Sequence, residues 1–245
     1  MKIVIVGATG FIGSKIVAEA AGRGHIVTAI CRHSAKVTRH AHVRAVQTDV
    51  NDAAQLAREF AGHAAVIHAC SPPRDARLQA IIDAQTAALR TGAAFVATAG
   101  DMAVVRASAQ ARIDGQTQAT RSIIAAAKTA GIRRVLAVGG AGTLLIGGVR
   151  SMDRPDFPQL YLGGAQATAV IKELLAKEHD LEWTVLCPST LVEPGERTSR
   201  FRLGTNELLI APDGSSRISV EDYALALIDE LEQSRHVCQA FTVGY

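Results

Sequence analysis

Aromatic residues and long apolar runs are scarce in this sequence, and each scarcity excludes a class of protein. Phe, Trp and Tyr make up 4% of the 245 residues, and the Lys and Arg residues behind the net charge of +3 are dispersed. Nucleic acid is therefore not an expected partner. No apolar run approaches 18 residues and no charged start precedes a short apolar segment, so neither a membrane span nor a signal peptide is expected. We expect a cytoplasmic protein with no membrane partner.

Paired cysteines are also missing. The four cysteines, Cys31, Cys70, Cys187 and Cys238, lie far apart, without a CxxC pair or a Cys/His spacing typical of zinc sites. We expect free thiols in the core, no disulfide and no metal site.

No break in composition suggests a linker. The seven prolines and 21 glycines are scattered, and 48% of the residues are hydrophobic, which is enough to bury one sizeable core. We predict a single domain over residues 1–245.

The chain begins with the pattern of a nucleotide-binding βαβ unit, "MKIVIVGATGFIGSKIVAEAAGRGHIVTAICR". The apolar run Ile3–Val6 predicts a strand, helical periodicity follows the glycines, and Ile26–Cys31 predicts the next strand. Gly7 permits a sharp turn, Gly10 lets backbone approach a pyrophosphate, and Gly13 lets the helix pack closely, with its N-terminus facing the phosphates. The alternative is a strand-helix turn without a ligand.

GATGFIG resembles the turn of atypical and extended short-chain dehydrogenases. Residues 130–145, 180–198 and 208–232 resemble the NAD(P)H-binding family of NADH-flavin reductases, which is related to biliverdin reductase B and NmrA-like proteins. The resemblance implies an α/β fold, a doubly wound parallel Rossmann sheet, with a small C-terminal cap that we place at 190–216.

The end of the second strand decides between the two nicotinamide cofactors. NAD-preferring Rossmann proteins carry an acidic residue there, whereas an arginine pairs with the 2′-phosphate of NADP. This chain has Arg32 within Cys31–Ser34 and no acid. Because a guanidinium matches a phosphate bidentately, we expect NADPH to be preferred over NADH. The alternative is that Arg32 is a solvated loop residue.

Two further segments follow predicted strands. The resemblance implies that Asp49 and Val50 lie beside the adenine, although Asp49 equally suits a turn cap before a helix that is capped by Asn51 or Asp52. Ala69–Ser71 falls at the carboxyl end of a strand, where a doubly wound sheet presents its crevice. The candidate cofactor-binding residues are Gly7, Thr9, Gly10, Phe11, Ile12, Gly13, Arg32, Asp49, Val50, Ala69, Cys70, Ser71 and Pro188.

Residues 74–118 exceed the length that the family pattern leads us to expect. They contain a helical stretch at about 78–90, then "AAFVAT" (93–98), which predicts a short strand, and then an Ala-rich charged stretch that suits a second helix. One interpretation is a lid over the nicotinamide or a contact in a homodimer. The other, slightly favoured because glycine hinges and an aromatic anchor are missing, is a surface elaboration.

The segment "YLGGAQATAVIK" is where a short-chain dehydrogenase would carry its catalytic pair. That pair is a tyrosine acid and a lysine four residues later, whose charge lowers the phenol pKa. The fourth residue after Tyr161 is Ala165, and Lys172 lies roughly 16 Å farther along a helix. Aligning on Glu173 places Ala165 and Ala169 at the two positions. No catalytic residue is assigned, and Tyr161 remains a candidate acid without its lysine.

This missing pair separates the possible functions. An epimerase or alcohol dehydrogenase would lose a proton transfer worth about 10²-fold or more. A flavin or quinone accepts hydride at one atom and takes its proton from water. The protein therefore contributes mainly proximity and orientation to such a reaction. We expect an NADPH-dependent reductase of such a small-molecule electron acceptor. The alternative, resembling NmrA-like regulators, is a non-catalytic module that senses NADP(H).

The predicted cap contains candidate substrate residues within "EPGERTSRFRLG". Arg197, Arg200 and Arg202 suit an anionic substrate tail or a solvated loop, and Phe201 suits stacking on a ring or filling the cap core. The helix that follows is predicted to be capped by Ser219.

Overall fold

The computed structural model describes residues 1–73 and 75–245. Its strands are β1 (Lys2–Val6), β2 (Ile26–Cys31), β3 (Val43–Gln47), β4 (Ala65–His68), β5 (Arg134–Val138), β6 (Leu145–Ile146), β7 (Val149–Arg150), β8 (Glu182–Pro188), β9 (Leu191–Glu193), β10 (Arg202–Gly204), β11 (Arg217–Ser219) and β12 (Gln239–Gly244). Eight of them form one sheet in the order β3-β2-β1-β4-β5-β8-β12-β10, in which seven run parallel and β10 pairs antiparallel with β12. The predicted doubly wound parallel sheet is confirmed.

The α-helices of the described chain cover both faces of this sheet. They are α1 (Phe11–Gly22), α2 (Ala53–Phe60), α3 (Ala76–Thr91), α4 (Ala99–Thr129), α5 (Gln159–Leu175) and α6 (Val220–Gln233). One core joins α1 and α6 to the sheet, and the other joins α2, α4 and α5. The side chains of Ile3–Val6 alternate between these cores and are at most 1% exposed. A continuous apolar run therefore forms a strand here because both faces are buried.

The strand order reverses at β1. From there the chain winds to β2 and β3 on one side and to β4 and β5 on the other. Ligands of doubly wound sheets bind at such a switch point, outside the carboxyl ends of the strands. The crevice above β1 and β4 is thus the expected nucleotide site.

The long segment at 74–118 is helical except at its link. It contains α3 and the first 20 residues of α4, which continues without a break to Thr129. The predicted strand at 93–98 is wrong, because this stretch has no sheet edge beside it and instead connects the two helices. Thr98 caps α4 in a reciprocal bond with Asp101, and Phe95 packs between α3 and α4. Arg74, the first residue of the predicted segment, lies outside the described residues.

The segment at 190–216 is built into the fold at both ends. β9 pairs with β11, and β10 forms the edge of the main sheet. Between them, Leu145 donates its N–H to Asn206 and accepts from Leu208, so the segment is tied to the loop that follows β5. The cap prediction for α6 is confirmed, since Ser219 Oγ accepts the N–H of Asp222 at 3.0 Å.

Two features of the sequence have simple structural outcomes. Throughout residues 1–73 and 75–245, no helix combines the length and apolarity needed to cross a bilayer. The four cysteines are free, and Cys31 and Cys187 are buried as expected, but Cys238 is exposed rather than in the core.

Candidate functional site

The turn after β1 holds the N-terminus of α1 over the switch point. Gly7 has a φ of +91°, which favours glycine, and the N–H groups of Gly7 and Ala8 both donate to the Ile30 carbonyl of β2 at 3.0 and 3.1 Å. Gly10 is the N-cap residue of α1 and provides no side chain to cap it. The first backbone N–H groups of the helix are therefore available to an anion, and the helix dipole favours one there.

The three glycines of the turn meet different surroundings. A Cβ atom on Gly7 would lie 2.5 Å from the Ala69 carbonyl oxygen, and one on Gly13 would lie 2.1 Å from the Gly7 carbonyl oxygen. A Cβ atom on Gly10 would meet just the Gly7 oxygen, at 3.2 Å, and Gly10 itself is exposed. The fold thus requires glycine at 7 and 13, whereas position 10 is exposed and crowded at one backbone atom, which leaves room beside it for a pyrophosphate.

The other residues of the turn share this location. Thr9 and Ile12 are half-buried, and Phe11 is 51% exposed at the first position of α1. Pro188 lies at the carboxyl end of β8, buried, two strands away from β4. The structure therefore brings Thr9, Phe11 and Ile12 to the crevice mouth, with Pro188 farther along the same edge of the sheet.

Arg32 follows β2 and projects beside this crevice. It is exposed and makes no hydrogen bond or salt bridge with any described residue. Its charge acts on the Cys70 thiol across the switch point. No carboxylate occurs at 31–34, so the position that would carry an acid in an NAD-preferring protein carries a cation.

The loop after β3 approaches the same side of the crevice. Asp49 is exposed, and its Oδ1 accepts the N–H of Asn51 at 2.9 Å, while Val50 packs against the core of α2 and α4. The helix cap is Asp52, whose Oδ1 accepts from Gln55 at 2.8 Å. Asp49 therefore stabilises a turn with one oxygen.

A buried polar cluster underlies the segment after β4. His68 Nε2 lies 3.1 Å from Thr120 Oγ1 and 3.2 Å from Gln116 Nε2, both on α4, and its Nδ1 lies 3.5 Å from Cys70 Sγ. Burial lowers the pKa of His68 to about 4 and raises that of Cys70 to about 12, so both groups are neutral at pH 7. This cluster fixes the wall at Ala69–Ser71 to α4.

The α4 members of that cluster were not predicted from the sequence. The sequence does contain one indication of the cluster, a histidine at the end of the apolar run "AAVIHAC". A histidine in a buried strand indicates that a polar partner is buried beside it. The partner could not be placed because Gln116 and Thr120 lie about 50 residues later in the chain.

Helix α5 presents one face to the loop after β5. A Cβ atom on Gly142 would lie 2.6 Å from the Cβ of Ala165, and one on Gly140 would lie 2.3 Å from Thr168 Oγ1. Tyr161, one turn before Ala165, is half-buried and packs into a small apolar cluster between α3, α4 and α5. The fully buried members of that cluster are Leu78, Ile81, Val105 and Leu160.

The candidate substrate residues of the cap do not converge on the crevice. Arg197 makes a two-pronged ion pair with Glu19 of α1, at 2.8 Å for both Nε and Nη2. Arg200 is exposed, and Phe201 is half-buried against the core of α1 and α6. The buried carboxylate of Asp222 accepts two hydrogen bonds from the loop, one from the Thr198 hydroxyl and one from the Ser199 N–H. Arg197 thus anchors the loop to α1.

A surface groove of about 450 Å³ lies beside this anchor, between α1 and α6. Its charged lining residues largely pair with one another, Arg23 and Arg197 with Glu19, and Lys15 with Glu221. The groove is distinct from the crevice, and its internal ion pairs leave little charge to recognise a ligand.

Comparison with known proteins agrees with this geometry. The model of a family described as NAD(P)H-binding matches residues 7–232. The uncharacterised protein YwnB of Bacillus subtilis is 32% identical over 248 residues, covering 99% of this chain and 98% of that protein.

Several solved structures cover all of this chain. A protein named as a candidate exported protein, from Burkholderia pseudomallei, is 35% identical with a TM-score of 0.78 over 100% of its chain. A candidate epimerase from Bacteroides thetaiotaomicron is 34% identical, with a TM-score of 0.76 over 96% of its chain. A candidate NADH-flavin reductase from Streptococcus pneumoniae is 27% identical, with a TM-score of 0.71 over 99% of its chain. The chain belongs to the NAD(P)H-binding family of Rossmann-fold proteins.

Proposed function

We propose that the protein is an NADPH-dependent reductase that transfers hydride to a conjugated acceptor such as a free flavin or a quinone. The observation that carries the proposal is the environment of α5. The position one turn after Tyr161 is Ala165, which packs against Gly142, so the lysine that would activate a phenol is missing from that turn. The resemblance to a candidate NADH-flavin reductase supports the same acceptor class.

The residues at the switch point suit a bound dinucleotide. The exposed backbone at Gly10 and the uncapped start of α1 fit a pyrophosphate, and Arg32 fits a 2′-phosphate. When bound, NADPH supplies the hydride. The turn would hold its phosphates, and Ala69–Ser71 would line the nucleotide.

The protein's own part in the reaction is orientation. A conjugated acceptor becomes an anion after it gains hydride and is protonated by water, so no protein acid is required at a carbinol oxygen. His68 and Cys70 stay neutral at pH 7 and contribute position rather than proton transfer.

Steady-state oxidation of NADPH with FMN, riboflavin and a soluble quinone tests the proposal. The expected result is turnover above the uncatalysed rate with at least one acceptor, and loss of that turnover in Gly10→Val. Tight NADPH binding without turnover on any acceptor would contradict the reductase and favour the NADP(H)-sensing module.

A further inference from the structure

Arg112 of α4 lies level with the crevice, beyond the carboxyl ends of the strands. Gln116, one helical turn later, reaches His68, the last residue of β4. One turn of helix rises about 5.4 Å, so Arg112 lies about that far beyond the carboxyl end of β4.

The Arg112 guanidinium is seated on Gly164 of α5. A Cβ atom on Gly164 would lie 2.6 Å from Nη2 of Arg112 and 3.2 Å from Nη1. Thr168, one turn after Gly164, contacts Gly140 directly after β5. The guanidinium is therefore one turn above the carboxyl ends of both β4 and β5.

The position of Gly164 on α5 shows on which side of the crevice the Arg112 guanidinium lies. Gly163 faces Ala109 of α4, whereas Ala165 and Thr168 face the loop after β5. At 100° per residue, Gly164 lies between these two faces. Arg112 thus occupies the corner between α4, α5 and that loop, on the side of the crevice opposite to Arg32. A dinucleotide whose adenosine end lies at Arg32 would place its nicotinamide toward this corner.

We propose that Arg112 binds the phosphate or carboxylate tail of the acceptor and so selects anionic acceptors over neutral ones. A planar guanidinium binds such groups bidentately, and its half-buried setting strengthens the pairing relative to open solvent. This inference rests on the proposed function, because it names the class of acceptor used at the same site.

FMN and riboflavin form the matched pair of probes, since they share the isoalloxazine ring and differ by one phosphate. We expect Arg112→Gln to raise the ratio of KM for FMN to KM for riboflavin about tenfold, and Arg112→Lys to raise it less. Arg106→Gln is the control, because it removes the same charge from an exposed site on the same helix. An unchanged ratio in Arg112→Gln would overturn the proposal.

Gly164→Ala provides a second variant that leaves Arg112 in place. The added methyl group displaces the flexible tip of the guanidinium rather than backbone, so the ratio is expected to rise without loss of thermal stability. Gly163→Ala instead meets the Cα and Cβ of Ala109 at 3.1 and 2.8 Å and is expected to lower the melting temperature. A rise in the ratio in Gly163→Ala but not in Gly164→Ala would assign the effect to helix packing and contradict the proposal.

Equilibrium binding of the two flavins, followed by flavin fluorescence, separates this inference from the proposed function. Arg112-dependent preference for FMN without turnover would support the anion site and contradict the reductase. Turnover with no such preference would contradict the anion site alone. Neither binding nor turnover with either flavin would contradict the anion site, and a further lack of turnover with the soluble quinone would contradict the reductase as well.

Discussion

The turn after β1 and the crossing of α4 on α5 both depend on glycine, but different neighbours require it. At the turn, a Cβ atom on Gly13 would lie 2.1 Å from the Gly7 carbonyl oxygen, which the sheet holds in place. At the crossing, Gly163 and Gly164 make room for Ala109 and Arg112, which come from a segment about 50 residues earlier in the chain.

This difference separates local requirements from distant ones. The contact between Gly13 and Gly7 lies within seven residues, and Gly7 needs its positive φ whatever its neighbours, so the turn leaves a fixed glycine spacing in the sequence. The contacts of the crossing leave a pair of consecutive glycines in the sequence. The residues that pack against this pair cannot be identified until the fold brings α4 onto α5. Gly10 belongs to neither group, because a Cβ atom there would meet one backbone oxygen, at 3.2 Å, and the position is otherwise exposed.

The largest expected effect is a loss of stability at Gly13. Gly13→Ala is expected to lower the free energy of unfolding by about 3 kcal/mol, because the methyl group meets backbone that cannot move. Denaturant unfolding measures it, with Gly164→Ala as the matched substitution whose neighbour is a flexible side chain. Equal midpoints for the two variants would remove the distinction between the regions.

Gly10→Val is expected to separate binding from folding. The backbone of Gly10, at φ −72° and ψ 168°, accepts any residue, and an added Cβ atom meets one backbone oxygen at 3.2 Å. The fold is therefore expected to be retained at a small cost in stability while the side chain fills the phosphate space. NADPH affinity should fall at least about 100-fold, or about 2.7 kcal/mol. Thermal shift with and without NADPH measures it, with Gly22→Val at the open end of α1 as the control. Ligand stabilisation retained in Gly10→Val would mean that the turn is not the phosphate site.

Arg32→Ala is expected to have a smaller effect, confined to the choice of nucleotide. The wild-type protein should bind NADPH at least about tenfold more tightly than NADH, since a guanidinium-phosphate pair contributes on this scale. Titration with each nucleotide should show that preference lost in Arg32→Ala and kept in Arg39→Ala, an exposed arginine of the same loop. Equal affinities in the wild type would show that Arg32 recognises no phosphate.

The same division explains which features the sequence predicts. The run Ile3–Val6, the glycine spacing and the Ser219 cap depend on neighbours a few residues away, and the structure confirms the elements that they predict. The stretch at 93–98 was misleading, because Phe95 packs on helices and Val96 is 84% exposed, so neither residue lies in a sheet. Arg197 looked like a solvated or substrate-facing residue because its partner, Glu19, is 178 residues away.

The central claim is that the reaction needs no protein acid, and Tyr161→Phe tests it most directly. Hydride transfer to a flavin that takes its proton from water should keep kcat within about threefold, far from the 10²- to 10⁴-fold loss that removal of a general acid causes. Loss of the hydroxyl should instead appear as lower thermal stability, since Tyr161 packs between α3, α4 and α5. A fall in kcat of about 100-fold or more, with a pH profile that loses its alkaline limb, would show that Tyr161 is the acid of a carbonyl reductase and contradict the account.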